Sequence, residues 1–338
     1  VDLDAAPLRL LAPLDVARSA ALRALGPTAG VWAARRDLRV AFFGVLAMTT
    51  ALFGAAYLPG WMLAFGPIVL GVPHIVSDLR YLVAKPRFHQ RGWGALLVGA
   101  LLAGTAVSGM LAPGIVAVLA AALFARGALP RKLIVVALAG PWLAATLLHR
   151  GVSELCFAHA HNLVAVLLFW VWRPRRSWLH AVPLAYFAFA VALFASGAFD
   201  RAALKVPVFG ASLSHMVREL GFGLDGPWAL RLVLVYAFAQ SVHYGVWLRL
   251  VPEEDRERPG PRSFASSYRA LVRDVGRPLL WLAALSLVAL VAWAVHDLAV
   301  ARWGYLRVAI FHGPLELVAA AIFFIERKRP FEATSVAA

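Results

Sequence analysis

The sequence predicts an all-α polytopic membrane protein, a bundle of about ten transmembrane helices with both termini in the cytoplasm. Three observations predict it. The chain of 338 residues is 62% hydrophobic and only 15% charged, with a mean hydropathy of +0.75, whereas soluble domains are roughly half apolar and a quarter charged. Its apolar residues gather in stretches near the ~20 residues that cross a bilayer. Its basic residues fall on alternate connections between those stretches, as the positive-inside rule requires.

Taken in order, residues 1–36 mix apolar residues with Arg9, Arg18, Arg23, Arg35 and Arg36 and read as a cytoplasmic or interfacial segment. They show no cleavable signal peptide and could lie on the membrane as a surface helix. Residues 37–326 read as one transmembrane domain, with spans at roughly 38–59, 61–84, 92–111, 113–127, 131–149, 152–172, 178–198, 226–250, 277–298 and 302–325. Residues 199–225 form an outside loop holding a short interfacial helix in GASLSHMVREL. Residues 251–276 form a polar cytoplasmic loop, and 327–338 a cytoplasmic tail. Alternate ends carry Arg35, Arg36 and Arg39; Lys85, Arg87 and Arg91; Arg126, Arg131 and Lys132; Arg173, Arg175 and Arg176; the run from Arg256 to Arg277; and Arg327, Lys328 and Arg329. The opposite ends carry scattered single charges such as Arg150, Arg201, Arg231 and Arg307. Trp61, Trp93, Trp172, Trp178, Trp228 and Trp303 sit at span ends, as an aromatic belt does.

The net charge of +15 comes from 33 basic and 18 acidic residues. Because most of it lies in connections between spans, with no basic patch interleaved with exposed aromatics, nucleic-acid binding is excluded. A single cysteine, Cys156, excludes an intrachain disulfide and a thiolate cluster.

Two stretches, GVPHIVSDLRYLV at 71–83 and FAHAHNLVAVLLFW at 157–170, place polar groups inside the greasiest segments. Counted from the span ends, His74, His159, His161, His243 and His312 lie within hydrocarbon. His89, His149, His180, His215 and His296 lie at ends or in loops. On a helix, His74 and Asp78 share a face, as do His312 and Glu316, and Gln240 and His243. His159 and His161 are about 200° apart, so only one of them faces a common cavity; Asn162 lies on the His159 side. Pro73 and Pro314 flank two of these histidines and predict kinks there.

Intramembrane ionisable groups mark function. One reading is a metal site, four imidazoles from four spans holding Fe(II). Asp78 and Glu316 would then orient the rings or ligate directly, and Gln240 and Asn162 would support them. A second is a b-type haem between His74 and His243, or between His159 and His312, in an electron-transfer protein. A third is a proton-coupled transporter using the histidine–carboxylate pairs as relays. No G-x-S-x-G and no membrane-desaturase histidine box occurs.

The segment GVPHIVSD at 71–78 resembles the G-x-P-H-x-x-x-D signature of the Brp/Blh-like bacterial β-carotene 15,15′-dioxygenases. Three further segments fall in a similar order: the middle-span His159 or His161, the aromatic YAFAQSVHYGVWL with His243, and His312 with Glu316 a turn later. The chain differs from that pattern at Ile75, where the family has glycine, at Gln240, in the region of a histidine, and at Phe311, where the family has proline. As a distant relative, it is implied to bind ferrous iron through His74, His159 or His161, His243 and His312. Asp78, Gln240 and Glu316 would lie around that set. The implied reaction is O2-dependent cleavage of a carotenoid, taken from the bilayer, into retinal-like aldehydes. The implied setting is a cell membrane, the inner membrane of a bacterium.

Overall fold

A computed structural model describes residues 5–208, 212–256 and 260–328, and its elements are helical. They are α1 (Ala5–Ala24), α2 (Thr28–Ala34), α3 (Arg36–Tyr57), α4 (Pro59–Asp78), α5 (Trp93–Ser108), α6 (Leu111–Phe124), α7 (Leu129–Leu148) and α8 (Arg150–Trp172). There follow α9 (Ala181–Ala195), α10 (Asp200–Ala203), α11 (Leu213–Leu220), α12 (Pro227–Gly245), α13 (Val251–Glu254), α14 (Phe264–Val275), α15 (Arg277–His296), α16 (Leu298–Ala309) and α17 (His312–Glu326). Helix starts follow local chemistry. Pro59 and Pro227 open α4 and α12, where a missing N–H costs nothing. The Asp297 carboxylate accepts from the Val300 N–H at 3.0 Å to cap α16.

Helices occupy all ten stretches expected to span, but among the described residues seven are long and apolar enough to cross a membrane. These are Arg36–Tyr57, Pro59–Ala84, Leu129–Leu148, Arg150–Trp172, Trp178–Ala195, Arg277–His296 and Leu298–Glu326. The other three stretches, at α5, α6 and α12, do not meet that length and composition, for two physical reasons. With 16 and 14 residues, α5 and α6 are short; at 1.5 Å per residue they reach about 24 and 21 Å, against a hydrocarbon core of about 30 Å. In α12, Arg231, Gln240, Ser241 and His243 dilute the apolar character. The helix expected in the outside loop is α11. The N-terminal segment is helical as α1 and α2, with residues 1–4 outside the described residues. Of the tail, Arg327 and Lys328 are described, and the expectation for 329–338 lies outside the described residues.

The layering follows from burial. Only 6% of α7 and 11% of α15 is buried within the bundle over their apolar windows, so both present most of their surface to lipid. By contrast α12 is lined with buried residues on every side, Val233, Leu234, Ala237 and Phe238 among them, and packs against α3, α4, α8 and α9. Two π-helical turns interrupt the inner helices, Leu79–Ala84 directly after α4 and Val246–Leu250 directly after α12. The last span breaks at Ile310–Phe311, between α16 and α17.

The basic ends that the alternation groups together are joined. Arg39 at the start of α3 holds Glu253 at 3.0 Å, and Arg249 and Arg256 hold the same carboxylate. Arg173 and Arg176, past the end of α8, hold Glu254 at 3.0 and 2.7 Å. Lys85 pairs with Asp255, Arg80 with Asp274 at 2.7 Å, and Arg91 with Glu326 at 2.5 Å. The N-terminal helix is fastened here too, since Asp15 of α1 accepts from the Phe264 N–H at 2.7 Å and the Ala265 N–H at 3.1 Å, capping α14 from another segment.

Candidate metal centre

Four helices bring polar groups to one place inside the bundle. On α4, one helical turn puts His74 and Asp78 on the same face, and both are fully buried. The helix runs unbroken through Pro73, and its irregularity comes later, in the π turn after Asp78. Close approach of α16 needs Gly71, because a Cβ there would sit 2.1 Å from the Tyr305 hydroxyl. On α12, His243 is buried three residues before the second π turn, and the Ser77 hydroxyl ties the two irregularities by donating to the Trp247 carbonyl at 2.7 Å. On α17, His312 is the first helical residue after the break. The Ala309 carbonyl ends α16 at the break, and the His312 ring serves it: its Nδ1–H donates to that carbonyl. That bond fixes the tautomer and leaves Nε2 as a lone-pair donor.

The groups meet closely. His74 Nε2 and His243 Nε2 are 2.9 Å apart. His74 Nε2 lies 3.3 Å from Asp78 Oδ2, and His243 Nε2 lies 3.4 Å from Glu316 Oε1. The His161 ring centroid is 4.6 Å from that of His243 and 4.7 Å from that of His312, and the His74 and His312 centroids are 5.0 Å apart. Three trios have ligand atoms mutually within 4.8 Å: His74, His243 and His312; His161, His243 and Glu316; His74, Asp78 and Glu316.

Of the five deep histidines, the structure brings together four. His159 turns away, its Nε2–H donating to the Leu220 carbonyl at 3.0 Å, with its ring against Phe222 and Tyr236. The opposed geometry of His159 and His161 is resolved in favour of His161. Asn162 donates to the Ala158 carbonyl at 3.0 Å, and Gln240 lies 3.4 Å from the Tyr236 hydroxyl. Both stand on the His159 side, outside the three trios. Sequence reasoning missed Tyr244 and Trp247, whose ring centroids lie 5.4 and 6.1 Å from that of His74. Both are within a turn of His243, which is the signal that could have found them.

The set is unsatisfied as it stands. Both Asp78 oxygens, Glu316 Oε1, His74 Nδ1, His243 Nδ1 and His161 Nε2 are buried without a hydrogen-bond partner. Each such neutral group costs about 1–3 kcal/mol, and an unpaired buried carboxylate costs several kcal/mol. A bound cation removes most of that cost at once, and neutral imidazoles with carboxylates are the donors that transition metals take. A porphyrin fits poorly. Nitrogens on opposite faces of one haem iron stand roughly 4 Å apart, with the macrocycle between them, whereas His74 and His243 touch at 2.9 Å. The other haem pairing fails because His159 faces Leu220.

Gly313 sets the approach of α17 to α8. A Cβ there would lie 2.6 Å from the Phe157 ring and 3.3 Å from His161 Cδ2. Gly313→Ala should therefore push Phe157 against His161, weakening metal binding roughly 10–100-fold and costing about 1–3 kcal/mol of stability. Metal titration and thermal unfolding in detergent check the two effects.

Compared with protein-family models, with curated proteins and with solved structures, the chain finds no match in any of the three.

Proposed function

We propose that the protein is a histidine-ligated non-haem iron oxygenase acting within the membrane on an apolar, lipid-phase substrate, with oxidative cleavage of a carotenoid into retinal-like aldehydes as its reaction. The observation that carries this reading is the convergence of four imidazoles and two carboxylates inside a multi-pass bundle. His161, His243 and Glu316 have the two-histidine, one-carboxylate composition that suits Fe(II) with open coordination positions. When bound, ferrous iron supplies activation of O2. The chain's own residues hold the ion, fix the His312 tautomer through Ala309, and keep water away with His74 and His243 sealed from solvent.

The surroundings support an apolar substrate. A cavity of about 350 Å³ lies against α4, its wall including Pro73 and Ser77, the neighbours of His74 and Asp78 on that helix. Val72, Val76, Leu280 and Leu287 make it apolar, and Arg80 is its charged lining residue, already paired with Asp274. Its size is at the lower end of the roughly 300–1,000 Å³ of ligand pockets. It suits part of a hydrocarbon chain. The resemblance of GVPHIVSD to the motif of the carotenoid-cleaving family supports a polyene in particular.

The test is metal analysis with an absorption spectrum of the purified protein, followed by expression in a β-carotene-producing host. Stoichiometric iron without a Soret band, loss of the host's colour and formation of retinal are expected. A Soret band would replace the reading with a haem protein. Absence of any metal would leave the histidine–carboxylate pairs as proton relays.

A further inference from the structure

We infer that the centre is built for two divalent cations bridged by the Glu316 carboxylate. This rests on the metal-centre reading above and says how many ions that centre takes. Six donors around one octahedral ion, bound at about 2.1 Å, would all lie within roughly 4.2 Å of one another. The donors here form three overlapping trios instead of one set of six. Two of these trios, His74–Asp78–Glu316 and His161–His243–Glu316, have a single residue in common. That residue is a carboxylate, with two oxygens that can face different ions.

The distances inside each half agree. Ligands bound at about 2.1 Å to one ion stand roughly 3.0–3.4 Å apart for angles between right and tetrahedral. His74 Nε2 to Asp78 Oδ2 is 3.3 Å, and His243 Nε2 to Glu316 Oε1 is 3.4 Å. The third trio, His74, His243 and His312, straddles the two halves, so the free Nε2 of His312 stands at the boundary between them. Each ion then has three protein donors and positions left for small molecules, the arrangement of two-metal sites with ions about 3.5–4 Å apart. Charge orders the loading. Asp78 and Glu316 together bring two negative charges against four positive ones, so the second ion binds more weakly than the first.

The experiment loads the purified full chain in detergent with Mn(II), removes free ion and counts bound metal by mass spectrometry. Two ions per chain are expected, taken up in two steps, with a spectrum of exchange-coupled Mn(II) in electron paramagnetic resonance. Asp78→Asn and His161→Ala should each keep a single ion with the uncoupled six-line spectrum. The wild-type spectrum decides the matter by itself should either variant fail to fold. One uncoupled ion per wild-type chain would overturn the two-ion inference and leave the metal centre standing. No bound ion in the wild type would overturn both.

Discussion

A chain carrying both His74→Ala and His243→Ala should purify without metal and without the proposed oxygenase activity, while His159→Ala should carry as much metal as the wild type. The two histidines between them belong to all three trios of donors, so their joint removal leaves none intact. Losing a group that merely supports a metal ligand costs roughly 10–100-fold in affinity, and losing ligands from every trio must cost more. His159 sits on the same helix two residues from His161 and is spent on the Leu220 carbonyl. Its removal should cost about 1 kcal/mol of stability through that hydrogen bond and nothing in metal content. Metal analysis of the three chains, with helix content from circular dichroism as the control for folding, checks the result. Metal retained by the double variant would refute the assignment of the centre.

The second large effect is expected far from the metal. Glu253 is fully buried and is the shared partner of Arg39, Arg249 and Arg256, with Arg39 itself fully buried. Glu253→Gln would leave these guanidinium groups without their anion. Breaking a buried ion pair from one side costs about 3–5 kcal/mol, most of the stability of many proteins. The expected outcome is a large drop in the unfolding midpoint in detergent, with metal affinity in the surviving folded fraction unchanged. Acid should imitate the substitution. Burial by itself would push the Glu253 pKa up, but the hydrogen bond from Arg249 and the charges of Arg256, Arg249 and Arg39 outweigh it and hold the carboxyl below its ordinary value of 4.5. A group whose folded pKa is depressed contributes its full stability above the unfolded value and loses it as pH falls through the folded one. Unfolding midpoints should therefore hold as pH falls to about 4.5 and drop below that in the wild type. They should depend less on pH in Glu253→Gln.

Much of this was legible in the sequence, and the reasons are local. Apolar runs located the helices because a span must satisfy its own backbone. The pairs His74–Asp78 and His243–Gln240 could be placed on shared faces because helical spacing alone decides that. The same spacing showed that His159 and His161 could not both serve, but choosing between them needed the position of Leu220, 61 residues away. Gln240 shares a face with His243, yet its amide is drawn to Tyr236, and spacing cannot rank two partners on one face. Glu316 was expected to serve His312, one turn before it, whereas its recorded contact is with His243 on another helix. The span count is least legible where length and polarity compete, in α5, α6 and α12, since a helix shielded by its neighbours need not be long or uniformly apolar.

The two π turns carry a consequence for how this chain can change. Each follows closely on a ligand-bearing stretch, Asp78 in one case and His243 in the other, and each is followed by charged residues that hold the end of the bundle together, Lys85 after one and Glu253 after the other. Deleting one residue from either turn would restore ordinary helical winding. A residue gained or lost between the ion grip and the charged seam with no such turn to absorb it would rotate everything beyond by about 100°. The ion grip and the charged seam would then demand opposite orientations of one rod. Insertions at 79–84 and 246–250, where a wide turn already absorbs one residue, should be far less tolerated than at Gly223, which has open space around it.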